Sequence, residues 1–158
     1  MAPARPIRDL SCDEPFRSAA AKTIWTRFDE MMSHCAAALE GSDPEGVHDM
    51  RVGSRRLRAA IELYRDVFPA RRLKPYLNEV KRVADALGDV RDGDVMLERL
   101  QADRKGRPPT QQLVLKELLE TTENELVEAR KRLKSVLDEL EHSDFARQFL
   151  TFVARETE

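Results

Sequence analysis

From Thr110 to Leu140 the apolar residues Leu115, Leu118, Leu119, Leu126, Leu133, Val136, Leu137 and Leu140 recur at spacings of one, three, four and seven. A strand alternates its faces every two residues, so this spacing excludes a strand and sets the leucines in one stripe of a helix. At 1.5 Å per residue such a helix runs about 45 Å, long for a small bundle. Its stripe must be covered by other helices, because an amphipathic helix is held mainly by the packing of its apolar face. The rest of the chain offers helices and no alternating strand pattern. The expected fold is therefore all-α, an antiparallel bundle of about five to six helices with short loops.

The punctuation of the chain supports this. Ser11 followed by Glu14 reads as a capping box, and Phe16, Ala20, Ile24, Phe28, Met31, Met32, Cys35 and Leu39 then follow helical spacing to a stop at Gly41. Trp25 falls within this pattern and reads as core, and His34 as structural. Asp43 and Pro44 read as N-cap and first helical residue of a second segment, which Pro69 ends. A third segment spans about 71–87, with Gly88 as its stop. The turn "GDVRDGDV" leads to a shorter helix ending near Leu100, and "RKGRPPT" is the clearest loop. Ser143 or Asp144 caps a last helix through Phe152. Residues 1–10 read as a flexible N-terminal arm and 11–158 as a single domain.

The net charge of -2 hides an asymmetry. Residues 47–82 hold ten Lys and Arg against four Asp and Glu, a balance of +6, which leaves -8 for the remainder. On a wheel of 100° per residue, His48, Arg51, Arg55 and Arg58 share one stripe, opposite Met50, Leu57, Ile61, Tyr64 and Phe68. No acid enters that stripe before Glu62. Solvated helices usually mix opposite charges at four-residue spacing, since like pairs destabilise by a few tenths of a kcal/mol. A stripe of like charge without an internal partner suggests an external anion, and Arg presents a planar fork that suits phosphate oxygens. Arg56 lies off the stripe and reads as a partner for a buried carboxylate. The third segment carries Lys74, Lys81 and Arg82 opposite its own apolar side, with Asp85 as the sole acid there. Two antiparallel helices would join these faces into one trough. Neither stripe contains an aromatic residue for base stacking, so the residues favour an anion without bases over nucleic acid.

The pair "HDMRVGSRRLRAAIELYRDVF" and "LKPYLNEVKRVADALGDVRDGDV" resembles the CHAD family, the conserved-histidine α-helical domain. The resemblance implies an α-helical module, not an enzyme, that binds inorganic polyphosphate on basic residues lining a channel. By motif position these are His48, Arg51, Arg55, Arg56, Arg58, Lys74, Lys81, Arg82 and Arg91, with Asp92 beside the last. Family members usually carry two similar halves, and no second H-x-x-R motif follows Leu100. The chain is thus similar to a short, one-half version, and a homodimer would supply the second half. Targeting to polyphosphate granules is the implied role.

Other chemistries find less support. Glu45, His48, Asp49 and Asp92 could be drawn as metal ligands, but Arg51 and Arg55 beside His48 would repel a cation, so no metal or other cofactor is expected. No nucleophile motif or phosphate-binding loop suggests catalysis. Cys12 and Cys35 match no disulfide or metal pattern, and with no signal-peptide core or membrane span they read as reduced thiols of a cytoplasmic protein. The alternatives are an RNA- or ribonucleoprotein-associated helical protein, and a helical scaffold whose acidic long helix engages a protein partner.

Overall fold

The computed structural model describes residues 3–41 and 43–158. It is an all-α helical bundle of α1 (Phe16–Met32), α2 (Cys35–Glu40), α3 (Pro44–Leu63), α4 (Ala70–Arg104), α5 (Pro109–His142) and α6 (Phe145–Thr157). A single 3-10 turn, Arg65–Val67, bends the chain between α3 and α4. No strand occurs among the described residues.

Helix α3 is central. It packs on α1 and α2 with one side and on α4 with the other, while α5 lies along α4 and α6 closes against α1. Ile24, Met31, Met50, Leu57, Ile61, Leu87, Leu137 and Phe149 are wholly buried between these helices. Each such side chain contributes roughly 1.5–3 kcal/mol relative to an exposed one. At the α6 end the core is aromatic: Phe28 and Phe149 centroids lie 5.4 Å apart, and Tyr76 stacks on Phe152 at 4.9 Å. Gly53 lets α3 approach α1 closely. A Cβ there would lie 2.8 Å from the Cα of Met31.

Several boundaries differ from the sequence reading. Glu14 Oε1 does accept from the Ser11 N–H at 2.8 Å, yet α1 starts only at Phe16. Pro15 holds ψ at 139°, and a residue before proline is itself biased away from helix. The first segment breaks after Met32, where Ser33 Oγ donates to the Glu30 carbonyl at 2.8 Å and competes with the backbone ladder. His34 then stands at the N-cap of α2. Gly41 ends α2 as expected, with φ of 66°. Trp25 is not core: it is 48% exposed. The described part of the arm lies along α1, where Arg27 donates to the Arg5 carbonyl at 3.0 Å and Arg5 pairs with Asp29.

The largest correction is at Gly88. It stops nothing: α4 runs unbroken for 35 residues through "GDVRDGDV". An interior glycine costs a helix only about 1 kcal/mol. Here Leu87 and Val90, both fully buried, carry the apolar stripe straight past it. Farther on, Arg130 of α5 donates to Asp94 at 2.8 Å and keeps the two long helices in register.

Candidate functional site

The register of α3 is set at its first turn. Asp43 Oδ1 accepts from the Glu45 N–H at 2.9 Å, with Pro44 in the first helical turn. Burial of Met50, Leu57 and Ile61 then turns Arg51, Arg55 and Arg58 toward α4. Gly88 faces the first of them: a Cβ at that position would lie 3.9 Å from Arg51 Nε, an ordinary contact. The result is a groove of about 400 Å³ between the two helices, with the three arginines on its α3 wall. Among the described residues, none of the three has a carboxylate within the 4.0 Å of an ion pair.

The α4 wall holds what the sequence reading missed. Because α4 does not stop at Gly88, Asp89 and Asp92 stay in helical register with Asp85, and all three line the groove. Asp89 reaches Arg132 of α5 at 3.7 Å. The groove is therefore arginine on one side and aspartate on the other. The spacing of four and three along α4 was the available signal, hidden by the assumption of a turn.

The remaining expected residues divide into two groups. Arg56 faces α1, where with Arg27 it pairs to Glu30, a carboxylate 1% exposed. Burial pushes the Glu30 carboxyl up, but hydrogen bonds from Arg27 and Arg56 outweigh it and hold the group below its ordinary value. This matches the wheel reading of Arg56 and sets it outside the groove. Arg82 is bound by Glu79 through two bonds of 2.7 and 3.1 Å and by Glu139 of α5 at 2.7 Å. Those bonds, with Glu79 foremost, hold its guanidinium charged.

Lys74 and Lys81 are exposed on the face of α4 that carries Asp85 and Asp92. Arg91 falls about 100° around that helix and is half-buried. His48 sits one turn before Arg51, outside the groove lining, beside Glu45 and Asp49. One ligand atom from each of these three lies within 4.8 Å of the others. Asp92, the fourth residue drawn as a ligand, lies in the arginine groove instead.

A family model described as the CHAD domain matches residues 22–158. The chain belongs to the CHAD family. The match takes in α2 through α6 and most of α1, so both walls of the groove belong to the CHAD domain. No curated protein and no solved structure matches the chain. No helix among the described residues of this CHAD domain is long and apolar enough to cross a membrane.

Proposed function

We propose that this CHAD domain is a binding module for inorganic polyphosphate, held along the α3–α4 groove, and that it catalyses no reaction. The observation that carries the reading is the row Arg51, Arg55 and Arg58, which lines a groove without pairing to a carboxylate among the described residues. Their backbone positions span about 10 Å along α3, so successive phosphates of an extended chain can be gripped by successive guanidinium forks. His48 lies before the row, and Lys81 and Lys74 extend a cationic track on α4. Asp85, Asp89 and Asp92 oppose any anion that enters. A single phosphate gains too few contacts to overcome them, whereas a polymer adds contacts at each step. RNA fits less well, because no aromatic side chain lines the groove. A domain that holds polyphosphate in this way would place its protein on polyphosphate granules.

A competition experiment tests this. Labelled long-chain polyphosphate should stay bound against RNA of equal phosphate content at about physiological salt, and its affinity should fall steeply as salt rises. Displacement by RNA, or equal affinity for triphosphate and the long chain, would overturn the reading.

A further inference from the structure

We propose that the distal part of the α4–α5 hairpin is a docking groove for a cationic amphipathic helix of a partner protein. Its cavity measures about 840 Å³. The floor is apolar: Gly93, Met96 and Leu100 from α4, with Leu118, Leu126 and Ala129 from α5. Met96 and Leu118 are 50% and 49% exposed. This stretch departs from the rest of the molecule, since no α4 residue beyond Val90 is buried and α5 buries only Leu119 before Leu126. Two helices alone cannot cover both sides of their own seam, and a third helix laid in the groove would complete the packing.

The rim says what kind of helix fits. Of the charged residues that line this cavity, Asp89, Asp92, Glu125 and Glu128 are acidic and Arg132 is basic, and Asp89 and Asp92 also form the wall that faces Arg51, Arg55 and Arg58. Arg132 reaches Asp89, and Lys131 pairs with Glu128 at 2.8 Å. Asp92 and Glu125 have no cation within ion-pair distance among the described residues. A partner with Lys or Arg flanking an apolar stripe complements that rim. A second copy of this chain does not. A two-fold contact sets each patch against its own copy, so acid would meet acid. From Asp89 to Leu100 the groove runs about 17 Å, roughly three helical turns, which suits anchors spaced i, i+3 or i+4, and i+7.

The probe is a synthetic peptide of about four turns with Leu at those spacings and Lys elsewhere, titrated into the full chain by fluorescence anisotropy. It should bind at least about tenfold more tightly than a peptide of the same composition whose leucines share no face. Met96→Asp with Leu118→Asp adds acid but removes the floor, and should weaken binding about tenfold. Glu125→Lys with Glu128→Lys should do the same through the rim. Leu113→Asp, an exposed apolar site outside the groove, and Arg51→Ala with Arg55→Ala, which removes cations facing Asp89 and Asp92, should not weaken binding. The last pair separates this proposal from the polyphosphate reading. Equal binding of the two peptides would overturn it, as would indifference to Met96→Asp with Leu118→Asp. A free dimer in sedimentation that Met96→Asp dissociates would also overturn it, by showing that a second copy occupies the groove.

Discussion

Arg55 and Arg56 are neighbours in the chain with opposite fates. Arg55 stays exposed at the groove, while Arg56 is committed with Arg27 to a carboxylate in the core. Arg56→Ala should therefore cost about 2 kcal/mol, the size of a hydrogen bond to a charged group whose partner stays buried. Arg51→Ala with Arg55→Ala should leave stability within about 0.5 kcal/mol while weakening polyphosphate about tenfold or more. Urea denaturation and calorimetry on the same variants separate the two effects. Glu30 also gives the fold an acid sensitivity. Its folded-state pKa lies below the ordinary 4.5, so its contribution is complete above that value and lost as pH falls through the lowered one. Urea midpoints should fall between pH 6 and pH 3 by more than in Glu30→Gln.

At the scale of the element, α4 decides how the groove is built. Gly88, read from the sequence as a stop, and Gly53 both lie inside helices, yet their surroundings differ. A Cβ at Gly88 meets only Arg51 Nε at 3.9 Å, an ordinary contact, whereas one at Gly53 collides with the α1 backbone. Gly88→Ala should stabilise the protein by about 0.5–1 kcal/mol through helix propensity. Gly53→Ala should destabilise it by about 1–3 kcal/mol, because helix α1 must move to admit the methyl group. Chemical denaturation of both variants measures the contrast. A destabilised Gly88→Ala would mean that α4 bends at that residue. Gly41 and Gly88 each follow an apolar run, and only Gly41 adopts the left-handed conformation that ends a helix. The difference lies in what packs beyond each residue, and that is absent from the local spacing.

For the whole molecule, the resemblance implies a channel made of two halves, and the described residues form one arginine-lined groove. The homodimer expected from the sequence needs a contact outside the like-charged arginine face, and the apolar surface beside the long helix α5 is the candidate. That surface exists, but its rim carries Asp89, Asp92, Glu125 and Glu128, which oppose a two-fold contact. We therefore expect light scattering at micromolar concentration to give a monomer alone and two chains per molecule with long polyphosphate, the polymer bridging two arginine grooves. A dimer without ligand would place the contact elsewhere. Triphosphate, too short to bridge, should leave the monomer unchanged.

The sequence by itself determined that these segments are helical, though not where α1 and α4 end, because apolar spacing near 3.6 is a local property that each segment carries whatever surrounds it. It likewise determined that Arg51, Arg55 and Arg58 share a face, since 100° per residue is fixed by backbone geometry. Even the pairing of Arg56 with a buried carboxylate was legible from its angle. Tertiary packing decided the rest. It carried α4 past Gly88, because burial of Leu87 and Val90 outweighs the modest helix penalty of one glycine. By doing so it set three aspartates opposite three arginines. It brought Glu139, 57 residues distant in the chain, to Arg82, whose other partner Glu79 is one turn away on the same helix, and it left Trp25 half-exposed. Which of two like side chains meets a carboxylate, and which stays open to a ligand, depends on distances between helices that no single helix encodes.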